Sequence, residues 1–164
     1  MFTFRISSLP FVLLLLCLCG CSPRKQAAEP PAPQVVFVCE HGNVKSLMAA
    51  SYFNAMAKER GLPVRAISRG SAPDSNTVPP AIAQHLRTEG FDVSGFHPTA
   101  VSGSDVSSSQ KVVTIGTALP AGTKSSDYRL EEWNDVPAAS LDYDGTSQSL
   151  KGHVKALLDD MSRH

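Results

Sequence analysis

One stretch constrains this chain more than any other: Val35-Val36-Phe37-Val38-Cys39-Glu40-His41-Gly42-Asn43-Val44-Lys45-Ser46. An apolar run of strand type ends in a cysteine, and a short polar loop with one glycine follows. Ser46-Leu47-Met48-Ala49-Ala50-Ser51-Tyr52-Phe53 then reads as the opening of a helix. A strand that passes through a tight loop into a helix turns successive backbone N–H groups toward one point. The helix N-terminus adds partial positive charge there, so the geometry is that of an anion site. A cysteine at the lip of such a loop lies in the same field, which favours its thiolate.

The remaining pattern alternates strands and helices. Val35–Val38 is the first strand, and a helix from Ser46 to about Arg60 follows. That helix places Leu47, Ala50, Phe53, Met56 and Ala57 on one core-facing stripe, with Gly61 to end it. Pro63–Ser68 reads as a second strand, parallel to the first through a right-handed crossover. Ser71–Thr77 is a turn-rich loop, and Pro79–Glu89 is a helix opened by prolines and stopped by Gly90. Phe91–Ser109 is irregular, with one short helix near Ser102–Val106. Val112–Ile115 and Asp127–Trp133 are the third and fourth strands, and Leu150–Met161 is the last helix. This order predicts an α/β, Rossmann-like three-layer sandwich with helices on both faces of a parallel sheet, and ligands at the carboxyl ends of its strands.

Cys39, five residues, a basic residue and Ser46 together resemble the phosphate-binding loop of the low-molecular-weight protein tyrosine phosphatases, whose fold the thioredoxin-coupled arsenate reductases share. The family pattern is C-x-x-x-x-x-R-S between the first strand and first helix. The resemblance runs from about Gln34 to the C-terminus and implies four strands in the order 2-1-3-4. It implies a phosphomonoester hydrolase that works through a cysteinyl-phosphate intermediate, with Cys39 as nucleophile and Ser46 supporting its thiolate. Glu40, His41, Gly42, Asn43 and Val44 would form the loop proper. Lys45 stands where the family has arginine, a point charge in place of a planar fork. Gly42-Asn43 is displaced by one position, and Glu40 stands where a neutral residue is usual. Arg69, in Ser68-Arg69-Gly70-Ser71, is an auxiliary candidate to compensate for Lys45, because that segment resembles the turn after the family's second strand.

A cysteine phosphatase also needs a carboxylic acid for the leaving oxygen, and later to activate water. In the family this acid lies in a loop after the fourth strand. Trp133-Asn134-Asp135-Val136-Pro137 resembles that loop, which makes Asp135 the candidate, with Asp142 and Asp144 as fallbacks. The related reductases pass oxidation to further cysteines after the third strand. Gly116 stands where such a relay cysteine is expected, so arsenate reduction here would need an external thiol. A third reading is a domain that binds oxyanions without turnover.

The chain begins with a targeting pattern. Arg5 is a short basic region, and Leu9–Leu18 is apolar but too short to span a bilayer comfortably. Leu18-Cys19-Gly20-Cys21 resembles a bacterial lipobox, so residues 1–20 are expected to be a lipoprotein signal and Cys21 the lipidated residue. Residues 21–33 carry Pro23, Pro30, Pro31 and Pro33 and read as an extended tether. The folded domain is then 34–164, and the expected location is a bacterial membrane. Ser22 favours the outer membrane, facing the periplasm. Once the signal leaves and Cys21 is lipidated, Cys39 is the domain's lone thiol.

Fifteen basic residues balance fifteen acidic ones, which argues against a nucleic-acid partner. The expected partners are a phosphate-like oxyanion or phosphorylated substrate, a membrane through the N-terminal lipid, and an external thiol reductant for the reductase reading. His85, His97, His153 and His164 show no metal-ligand spacing, and neither a metal nor a cofactor is expected. His41 lies inside the loop, where backbone amides rather than its ring, directed outward, are expected to face the anion.

Overall fold

Residues 34–124 and 129–163 are described by a computed structural model. Their elements run β1 (Gln34–Cys39), α1 (Lys45–Glu59), β2 (Arg65–Gly70), α2 (Pro80–Thr88), α3 (Gly103–Ser108), β3 (Lys111–Ile115), β4 (Leu130–Trp133) and α4 (Tyr143–Met161). The lipoprotein signal, Cys21, the tether, the expected start of the fourth strand at Asp127, and His164 lie outside the described residues.

The four strands form one parallel sheet in the order β2-β1-β3-β4. Its central strand, β1, is buried on both faces, which explains its continuous apolar run. Val35, Phe37 and Cys39 face one core, shared with α1, α2 and α4. Val36 and Val38 face a smaller core with Val106 of α3 and Val112 of β3. Phe37 anchors the larger side, meeting Phe53 edge-on at 5.8 Å and Trp133 at 5.4 Å between ring centroids. Such pairs add about 0.5–1.5 kcal/mol beyond the area they bury.

The expected stripe on α1 is present but wider. Leu47, Ala50, Phe53 and Ala57 are buried, Met56 is half-buried, and Ser46, Met48, Ala49 and Tyr52 are buried as well. The extra coverage arises because α1 packs against both the sheet and α4. Strand β2 begins two residues later than Pro63 and runs on to Gly70, which pairs with Cys39. A proline supplies no N–H to the ladder, and the register is set by β1 rather than by local composition. Helix α4 starts at Tyr143, seven residues before Leu150. Its polar first turns are held by the Asp142 carboxylate, which accepts from the Gly145 N–H at 2.8 Å, while Thr146 and Ser147 are buried.

Candidate active site

The carboxyl ends of β1 and β3 open into a cavity of about 670 Å³. Its floor is Cys39, Asn43, Val44 and Lys45, with Ile115 and Gly116 at the end of β3. Pro79, Ala81, Ile82 and His85 of the α2 segment form one wall, and Ala138, Ala139, Ser140, Leu141 and Tyr143 form the other.

The anion loop is clamped from behind by the segment after β2. Ser71 N–H donates to the Cys39 carbonyl at 2.9 Å and Ala72 N–H to the Glu40 carbonyl at 2.8 Å. The buried Asn43 side chain donates to the Thr77 carbonyl at 2.9 Å. Gly42 has φ +75°, and a Cβ there would lie 2.6 Å from the Gly70 nitrogen. Only glycine allows both the left-handed conformation and so close a backbone approach.

Cys39 is buried, with its Sγ 3.0 Å from Ser46 Oγ. Ser46 Oγ is in turn 2.8 Å from Ser68 Oγ, and Ser68 also lies 3.0 Å from the Gly42 carbonyl. Each hydroxyl has one proton. When Ser46 donates to a thiolate, the Ser68 proton serves Ser46. Cys39, Ser46 and Ser68 thus form one hydrogen-bonded chain that can direct a proton toward the sulfur.

The first turn of α1 has neither a side-chain cap nor an acidic residue. Its leading N–H groups thus keep their donors for a ligand. Lys45 is half-buried and borders the cavity. Its Nζ lies 2.8 Å from where a Cβ on Gly116 would be, and Gly116 itself has φ +62°. The ammonium thus occupies the space that a side chain at 116 would take. Among the described residues, no carboxylate pairs with Lys45.

Two expected site residues are elsewhere. Arg69, the auxiliary candidate, is paired away from the cavity: its Nε and Nη2 donate to the two Asp105 oxygens at 3.1 and 3.0 Å, and Nη1 donates to the Ser68 carbonyl. The reason is strand alternation. Ala66, Ser68 and Gly70 face the α1 side, so Arg69 faces α3. Ser68 is the residue of that motif that reaches the loop, and the parity of β2 was the available signal.

Asp135 does not border the cavity. It is an exposed carboxylate whose oxygens lie 3.0 and 3.1 Å from His153 Nε2, and the His153 ring stacks on Trp133. Val136 and Ala139 are the loop residues that turn into the core. Asp142 caps α4, and Asp144 borders a separate groove along that helix. His41, whose ring is expected to point outward, borders the cavity, and its Nδ1 lies 3.1 Å from Asp74 Oδ1 without hydrogen-bond geometry.

The sequence profile described as low molecular weight phosphotyrosine protein phosphatase matches residues 34–131. No curated protein matches the chain. Several solved structures share the fold. YfkJ from Bacillus subtilis is 23% identical, covering 80% of this chain and 96% of its own, with a TM-score of 0.70. The low molecular weight protein tyrosine phosphatase from T. tengcongensis is 20% identical, over 79% and 99% of the two chains, with a TM-score of 0.66. The thioredoxin-dependent arsenate reductase from Corynebacterium glutamicum is 22% identical over 81% of this chain and 63% of its own, with a TM-score of 0.62.

Proposed function

The chain belongs to the low molecular weight phosphotyrosine protein phosphatase family, and from that membership and its cavity we propose that it is a cysteine-dependent phosphomonoester hydrolase. The observation that carries this reading is the Cys39–Ser46–Ser68 chain of hydrogen bonds beneath an uncapped helix N-terminus. Cys39 attacks phosphorus while the α1 N–H groups and Lys45 hold the phosphoryl oxygens. Ser46 supports the thiolate both before attack and when it departs again. A lysine holds the anion as a point charge and orients it less than arginine's fork does.

A second reading has one specific support. Arsenate is a tetrahedral oxyanion like phosphate, and a structural relative of this fold is a thioredoxin-dependent arsenate reductase. Cys39 is the free cysteine of the described residues, and Lys45 fills the space over Gly116. Reduction would therefore draw on an external thiol. Loss of turnover with retained oxyanion binding is the third reading, supported by the absence of Asp135 from the cavity lining. We further propose that the protein is exported and lipid-anchored through Cys21, with residues 21–33 as tether and the outer membrane favoured. The support is Arg5, the apolar Leu9–Leu18 and the lipobox-like Leu18-Cys19-Gly20-Cys21.

The test is hydrolysis of a small aryl phosphate by the reduced full-length chain across pH 5 to 8, with Cys39→Ser alongside. Turnover that Cys39→Ser abolishes supports the hydrolase. No turnover, with phosphate or arsenate still raising Tm, shifts the reading to oxyanion binding or thiol-assisted reduction.

A further inference from the structure

Transfer of a phosphoryl group to Cys39 leaves an oxygen that needs a proton, and the loop after β4 brings no carboxylate to the cavity. Among the described residues bordering it, the groups able to supply a proton are Glu40, His41, Lys45, His85 and Tyr143. Lys45 is the counter-charge of the anion. The Tyr143 hydroxyl is committed to Glu89 at 2.6 Å, and burial with that bond pushes its pKa far up. His85 lies flat on Tyr143 at 4.0 Å, and among the described residues no carboxylate orients it.

His41 differs from these. It follows Cys39 by two residues, and its Nδ1 is buried 3.1 Å from Asp74 Oδ1 in an off-line ion-pair contact. The ring is 44% exposed, so its open edge is the one bearing Nε2, which stands 3.8 Å from Glu40 Oε2. The backbones carrying His41 and Asp74 are clamped together: Ala72 N–H donates to the Glu40 carbonyl, and a Cβ on Gly70 would lie 2.9 Å from the His41 carbonyl carbon. A nucleophile and an imidazole with a carboxylate 3.1 Å from its buried nitrogen therefore share one clamped loop.

We propose that His41 is the proton donor and acceptor of this site, an inference that rests on the hydrolase reading above. The Cys39 thiolate forms the S–P bond as the P–O ester bond breaks. The departing oxygen keeps the bonding pair and takes the Nε2 proton of the His41 imidazolium. Neutral His41, retaining its Nδ1 proton beside Asp74, then takes a proton from water as that water attacks phosphorus. The S–P bond breaks, its electron pair returns to sulfur, and phosphate leaves.

The test compares full-length wild type, His41→Gln and Glu40→Gln on dinitrophenyl phosphate, whose leaving group needs no proton, and phenyl phosphate, whose leaving group does. His41→Gln is expected to keep kcat/KM, which reports formation of the S–P bond, within about threefold on the dinitrophenyl ester and to lose about a hundredfold of it on the phenyl ester, the usual scale of general-acid catalysis. Its kcat should fall on both esters, because the water-attack step loses its base. Asp74→Asn, at an exposed position, should show the same split more weakly, and it carries the test if His41→Gln does not fold. Equal loss of kcat/KM on both esters, no loss on either, or a split confined to Glu40→Gln overturns the inference and leaves the hydrolase standing. A wild type that turns over neither ester overturns both.

Discussion

In the proposed function Lys45 supplies the anion's counter-charge, and its position depends on a glycine far away in sequence. The Nζ sits over Gly116 because nothing projects from that residue. Lys45→Ala is expected to weaken phosphate binding by about 1.5–3 kcal/mol, the scale of a hydrogen bond to a charged group. Gly116→Ala should act on the same site from the other side, since its methyl would displace the ammonium and its backbone would be held at a positive φ. That strain costs about 1–2 kcal/mol. Phosphate-dependent Tm shifts for both variants check this: Lys45→Ala should lose the shift at unchanged basal Tm, whereas Gly116→Ala should lower both.

At the scale of elements, α3 is too short to hold itself and depends on its ends. Ser102 and Asp105 form a capping box, and Asp105 also receives the Arg69 fork from β2. Burial alone would raise the Asp105 pKa, but the bonds from Arg69 and Ser102 outweigh it and hold the carboxyl below its usual range. A depressed folded pKa contributes stability that is present above the unfolded value, about 3.9, and is lost as pH falls through the folded one. Asp105→Asn should therefore cost about 1–2 kcal/mol at neutral pH. That deficit should shrink in acid, as read by urea unfolding at a series of pH values. Arg69→Ala should destabilise in the same way and leave phosphate affinity unchanged. A fall in affinity would return Arg69 to the anion site.

At the scale of the molecule, the sheet brings distant segments to one edge: the loop after β1, the clamp after β2, the end of β3 and the wall before α4. Ligand chemistry at the carboxyl edge of a parallel sheet follows from this topology, because every crossover returns the chain to the opposite edge. The proposed anchor lies at the other extreme of the sequence. Cys21→Ser is expected to shift the protein from the membrane to the soluble fraction on cell fractionation, with phosphate hydrolysis by the released chain unaltered. Retention in the membrane would remove the lipid reading. The sequence by itself determined the alternation of strands and helices, the parallel crossover and the Cys39–Ser46 loop, because these follow from apolar runs, spacing and local turn chemistry, whereas the strand order was implied by the resemblance to the family. The partners of single side chains were decided only by tertiary structure. Arg69 turned to Asp105, 36 residues on, and Asp135 to His153, 18 residues on. Ser68 and His41 entered the site for the same reason. Alternation along a strand says which side chains share a face, but what each face meets depends on what another element places opposite, and no local pattern encodes that.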